Sequence, residues 1–165
     1  MFSEWVKQAW IGLGIDYGTW MSQWIWIVFI IFAFVAARFD IRERRIPNML
    51  NLVGLVFFLA WHIGGGSGEA AVLAFLCTGL LLLVPTLLGF WGQGDWKMAI
   101  VCVAALGVLP TLLVWWLGLL LAKIYSTVAK KYRLRWLQAD AKAGLPVAVF
   151  VLMASILLFV AVSLN

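Results

Sequence analysis

The sequence predicts an all-α polytopic membrane protein with six transmembrane helices and both termini on the non-cytoplasmic side. Three observations lead there. First, the 165 residues are 65% hydrophobic and only 12% charged, whereas a soluble domain is about half apolar and a quarter charged. With a mean hydropathy of +1.06, the chain has too little polar surface to cover a water-soluble body. Second, the apolar residues fall into runs approaching the ~20 residues needed to cross a hydrocarbon core. Third, every Lys and Arg except Lys7 lies in one of three connections, residues 38–47, 89–97 and 123–144. A net charge of +5 gathered in this way reports topology rather than a nucleic-acid partner.

The elements follow in order. Residues 1–19 mix Trp5, Trp10, Glu4, Lys7 and Asp16 with three glycines. They read as an interfacial N-terminal segment rather than a secretory signal, ahead of a six-helix membrane domain over 20–165. Trp20 to Ala37 is the first span, and Arg38 opens a polar segment that runs to Arg45. Pro47-Asn48 restarts the chain, since proline suits the first turn of a helix, and the second span runs to about Ile63. The Gly64-Gly65-Gly66-Ser67-Gly68 turn leads to a third span over Ala70 to Leu88, with a kink expected at Pro85. The Gly89-to-Lys97 segment interrupts the apolar run. Met98 to Leu109 and Thr111 to Tyr125 are the fourth and fifth spans, divided by a tight turn at Gly107 and Pro110. The basic 123–144 segment follows, and Leu145 to Ser163 is the sixth span, with Pro146 in its first turn.

Six spans place the three basic connections on one face, which the positive-inside rule assigns to the cytoplasm. Five spans would put the 123–144 segment opposite the other two. Cys77 and Cys102 lie within apolar runs with no CxxC pair; they are expected to be buried small hydrophobes, and no metal or cofactor is implied. His62 is expected to be an interfacial polar residue, the tryptophans mostly interface anchors and lipid-facing bulk, and Glu43 and Asp140 solvated charges. The 123–144 segment reads as a topology signal and lipid contact, with a grip on substrate as the alternative.

Two polar stretches carry the chemistry: Asp40-Ile41-Arg42-Glu43-Arg44-Arg45-Ile46-Pro47-Asn48 and Gly92-Gln93-Gly94-Asp95-Trp96-Lys97. The six-span topology puts Asp40 and Asp95 on the same face. Ionisable groups at membrane depth mark functional sites. Two carboxylates brought close share one proton, so that one accepts a proton from water while the other donates to a carbonyl oxygen. Gly92 and Gly94 permit unusual backbone angles and close approach of a substrate strand. Lys97 reaches headgroups or biases a nearby carboxylate, and Arg42, Arg44 and Arg45 hold an anionic leaflet. The spacing leaves other readings open. Each aspartate fits a solvated charge at a span end or, for Asp40, a local ion pair worth about 0–1 kcal/mol. A small transporter with Asp40, Asp95 and Lys97 as proton relays, or a non-catalytic scaffold of a secretion system, would also carry such residues.

The two stretches together resemble the type IV prepilin peptidases, polytopic aspartyl proteases of the GxGD class. Asp40, Arg42, Arg45, Ile46-Pro47-Asn48 and Leu50 are similar to that family's D…IPN-x-L loop, and Gly92-Gln93-Gly94-Asp95-Trp96-Lys97 to its GxGD-x-K motif. The resemblance covers about residues 20–163. It implies that Asp40 and Asp95 are a catalytic pair and that Gly92, Gly94, Lys97, Pro47, Asn48, Arg42 and Arg45 shape the site or bind substrate. The substrate it implies is a prepilin whose basic leader is removed at the cytoplasmic face of the inner membrane, typically after a glycine, with pilus assembly machinery as a further partner. The cytoplasmic insert with paired cysteines that binds zinc in larger, methylating members is absent, so methylation is not expected. The compact form is most similar to peptidases of tight-adherence, Flp-type pilus systems.

Overall fold

A computed structural model describes residues 23–43, 45–66, 68–88, 93–131 and 146–163. The proposed interfacial segment 1–19, Arg44, Gly92 and most of the basic 123–144 segment lie outside the described residues. Among those described there are six helices and no strand: α1 (Gln23–Glu43), α2 (Asn48–Gly64), α3 (Gly68–Leu87), α4 (Gln93–Leu106), α5 (Val108–Lys131) and α6 (Val147–Ser163).

The boundaries follow from chain chemistry. Pro47 directly precedes α2, at φ −59° and ψ 134°. Its fixed φ and missing N–H suit that place, and its carbonyl accepts from the amides of Leu50 and Asn51. Gly66 and Gly107 both sit at φ +81°, the left-handed conformation that glycine adopts most readily. Gly107 ends α4, and its amide donates to the Val103 carbonyl at 2.9 Å, so the expected division of the fourth and fifth spans falls there. Pro110 lies inside the first turn of α5. Pro146 precedes α6 rather than opening it.

Two helices overrun their expected ends. α1 continues past Arg38 to Glu43, and α5 continues past Tyr125 to Lys131. A charged residue alone does not stop a helix, and neither glycine nor proline, the usual terminators, occurs between Phe39 and Ile46 or between Leu119 and Lys131. α4 likewise starts early, so Gly94 through Lys97 are helical rather than part of a loop.

The helices alternate in direction. Asp40 near the end of α1 meets Ala148 at the start of α6, while Trp26 at the other end of α1 packs on Phe159. Trp96 at the start of α4 bonds to Gly79 in the second half of α3. Tyr125 late in α5 packs on Phe150 early in α6. α2 and α4 run parallel, joined at one end by Asn48 and Lys97 and at the other by His62 and Ala105.

α4 is the centre of the bundle and packs against each of the other five helices. Every residue from Met98 to Leu106 is buried. Protein rather than lipid encloses this stretch, and its Ala99, Ala104 and Ala105 let neighbouring backbones approach. An aromatic cluster of Phe29, Phe32 and Phe58 joins α1 to α2, with ring centroids 6.2 Å apart.

The outward faces are apolar. Trp24 and Trp116 are 70% and 76% exposed, and Ile31, Phe34, Val53, Leu80, Leu87 and Leu157 are exposed with them. So large an apolar exterior marks an interaction surface. Gln23–Glu43 and Val108–Ala129 are long and apolar enough to cross a membrane; Asn48–Gly64, Ala71–Val84 and Val147–Ser163 are shorter apolar helices.

Two expectations, on Cys77 and His62, need correction. Cys102 is buried, but Cys77 is exposed, because it shares the outward face of α3 with Leu73, Leu76 and Leu80. Of the tryptophans, Trp24, Trp61 and Trp116 are exposed, while Trp26 and Trp115 belong to the core. His62 is fully buried, and its Nε2 lies 3.2 Å from the Ala105 carbonyl. That carbonyl is in the last turn of α4, where intrahelical donors run out, so His62 closes the helix end rather than sitting at an interface.

Candidate active site

The site residues collect at one end of the bundle, opposite His62. α1 ends there, α2, α4 and α6 begin there, and the residues between them set its geometry.

Asp40 lies in the last turn of α1, half-buried rather than in a loop. Its Oδ2 accepts a hydrogen bond from the Ala148 amide at 3.0 Å. Ala148 belongs to the first turn of α6, whose amides have no intrahelical acceptor. The carboxylate therefore supplies a cap from another helix, and the amide fixes the carboxylate's orientation. Ala148 lies beyond both motifs. Its contribution is a backbone group, so its side-chain identity gives no signal in the sequence.

The Ile46-Pro47-Asn48 segment has a division of labour. Ile46 is buried in the core and anchors the connection between α1 and α2. Pro47 starts α2. Asn48 Oδ1 accepts from Lys97 Nζ at 2.8 Å. This bond ties the connection after Asp40 to the helical turn that carries Asp95.

Asp95 is half-buried in the first turn of α4, where the helix N-terminus favours an acidic residue. Trp96 beside it donates from Nε1 to the Gly79 carbonyl at 3.0 Å and locks that turn against α3. Gly94 is helical, with no left-handed φ. Its expected use of unusual backbone angles does not hold. What it contributes is room: a Cβ there would meet nothing within 4 Å. Arg42 and Arg45 are exposed and Pro47 is half-buried.

Asp40 and Asp95 thus sit on two helices that pack on each other. Ala36 and Ala37 of α1 share one core with Met98 and Ala99 of α4. No cluster of metal-binding side chains occurs among the described residues.

No curated protein and no solved structure matches the chain. The sequence profile described as "Type IV leader peptidase family" matches residues 27–128. That span runs from α1 through most of α5 and includes both aspartates, the Ile46-Pro47-Asn48 segment and the Gly94-to-Lys97 turn. Members of the family are membrane proteins, in keeping with the apolar exterior. With well over half its length matched, and with both acidic motifs inside the match, the chain belongs to the type IV leader peptidase family.

Proposed function

We propose that the protein is an aspartic endopeptidase of the bacterial inner membrane, with six spans and both termini outside the cytoplasm. It removes the basic leader from type IV, Flp-like prepilins at the cytoplasmic face. The observation that carries this reading is the placement of Asp40 and Asp95 on packed helices at one end of the bundle, within the family match.

The reaction needs only these two side chains and water. The ionised carboxylate takes a proton from water, and the resulting hydroxide oxygen bonds to the scissile carbonyl carbon. The protonated carboxyl gives its proton to the carbonyl oxygen. Collapse of the tetrahedral diol breaks the C–N bond: the proton taken from water passes to the leaving amine, and one hydroxyl proton returns to the carboxylate that had donated. The space beside Gly94 admits the substrate backbone, and Arg42 and Arg45 contact anionic headgroups.

Purified full-length protein in anionic-lipid vesicles is incubated with a panel of synthetic prepilin segments, each a basic leader, a glycine and an apolar stretch. The expected result is a single cut after the glycine, mapped by mass spectrometry and insensitive to chelators. Failure to cut any segment overturns the substrate assignment, and loss of cutting on chelation overturns the metal-free chemistry.

Lys97 and Asn48 act as a positioning pair. A hydrogen bond to a charged group contributes about 1.5–3 kcal/mol, which corresponds to about tenfold or more in rate if the bond is needed only for alignment. Lys97→Met and Asn48→Ala are each expected to lower kcat about tenfold. Because both remove the same bond, the double variant is expected to be no slower than either single one. Multiplicative losses in the double variant would show that the two residues act separately.

A further inference from the structure

Asn51 stands apart among the buried polar groups. It is 5% exposed, and neither Nδ2 nor Oδ1 has a hydrogen-bond partner among the described residues. An unpaired buried polar group costs about 1–3 kcal/mol, so a carboxamide with both atoms unpaired needs a reason. Trp26 Nε1 and Thr111 Oγ1 are also unpaired, but each is a single atom, and both lie toward the opposite end of the bundle.

The position of Asn51 gives that reason. It begins the buried stripe of α2 that continues through Gly54, Phe58 and His62. Gly54 faces Phe32 of α1 and Val101 of α4, so this stripe looks into the seam between the two aspartate-bearing helices. At about 1.5 Å rise per residue, Asn51 lies about one turn inward of Asp95 and less than about two turns inward of Asp40. Side chains tilt toward the N-terminus of their own helix. Asn51 therefore leans outward toward the acids, and Asp40, on the antiparallel α1, leans inward toward Asn51. The occupant must fit an enclosed seam and match both a donor and an acceptor. A peptide reaches only the open end of the bundle, whereas water meets both demands.

We propose that Asn51 is a positioning residue that holds the lytic water for the two carboxylates. Oδ1 accepts one proton of the water, and Nδ2 donates into the same space. The second proton of the water points to the ionised carboxylate that removes it, which leaves an oxygen lone pair facing the scissile carbonyl. Asn51 changes no bond during the reaction. This inference rests on the two-aspartate reading above.

The test uses the full chain in anionic-lipid vesicles and the prepilin segment that the wild type cuts fastest. Asn51→Leu keeps the bulk and removes both polar atoms. Its kcat is expected to fall about 10²-fold, the scale seen when one preorganised hydrogen-bonding group is removed, with KM unchanged and the thermal midpoint unchanged or raised. A purely structural residue would move the midpoint and leave kcat alone. Should Asn51→Leu fail to fold, the pair Asn51→Ser and Asn51→Ala decides, with the serine variant expected to be about tenfold faster because its hydroxyl still holds water. An Asn51→Leu kcat within threefold of wild type, or equal rates for the serine and alanine variants, overturns the inference. Asp40→Asn and Asp95→Asn run in parallel: if either still cuts, the two-aspartate reading falls and this one with it, whereas inactive aspartate variants beside a fully active Asn51→Leu overturn the role of Asn51 alone.

Discussion

Asp40→Asn and Asp95→Asn are each expected to reduce prepilin cleavage by about 10⁴-fold, the scale of losing one member of a catalytic unit, while protein accumulates normally. The change is nearly isosteric, so packing around each residue is kept. At position 40 the asparagine oxygen still accepts from the Ala148 amide that now bonds Oδ2, and α6 stays docked on α1. What is lost is the ability to take or give a proton. Asp40→Ala is the informative contrast. It leaves the Ala148 amide without this acceptor, at about 1–3 kcal/mol, and is expected to lower the thermal midpoint as well as abolish cleavage. Rates from single-turnover assays and midpoints from thermal unfolding separate the two effects. Cleavage retained by either asparagine variant removes that residue from the chemistry.

The parts of this architecture visible beforehand are those written in local chemistry. Pro47-Asn48 marks the start of α2 because proline lacks an amide and fixes φ, and Gly107 marks the break between α4 and α5 because its φ of +81° suits glycine. The ends of α1 and α5 lie past the charges that close their apolar runs, because charge alone is no stop and no helix breaker follows until Pro47 in the one case and Gly144 in the other. Asp40 accordingly belongs to a helix rather than a loop. The central place of α4 was hidden, because an apolar run looks the same whether lipid or protein surrounds it. The amide of Ala148 was hidden for a different reason: every residue but proline has one. Asn51 and His62 did leave a trace, as polar residues within an apolar helix, and both are buried.

Gly54→Leu is the second large effect, and it tests how the two acids are held at their separation. A Cβ at Gly54 would lie 2.7 Å from Phe32 Cε2 and 3.1 Å from Val101 Cγ1. Phe32 belongs to α1 and Val101 to α4, so α2 is seated at this glycine against both helices that carry an aspartate. Helices in lipid associate through close packing rather than through escape from water, which makes the notch a direct determinant of their spacing. Phe32 has little room to yield, since Phe29 and Phe58 flank it with centroids 6.2 Å away. A leucine there displaces α1 from α4 and levers Asp40 and Asp95 apart. Overpacking costs about 1–3 kcal/mol, and a misplacement of about 1 Å costs about 10²-fold in rate. Gly54→Leu is therefore expected to lose at least about 10²-fold in kcat and to unfold at a lower temperature. Adding Phe32→Ala, which opens the space the leucine needs, is expected to recover part of both. Gly79→Ala is the control: its Cβ would meet Ile100 at 3.6 Å, an ordinary contact, and activity is expected to hold. A Gly54→Leu variant as fast as the wild type would mean that the separation of the acids is set elsewhere in the bundle, by α6 on Asp40 or by Lys97 on Asn48.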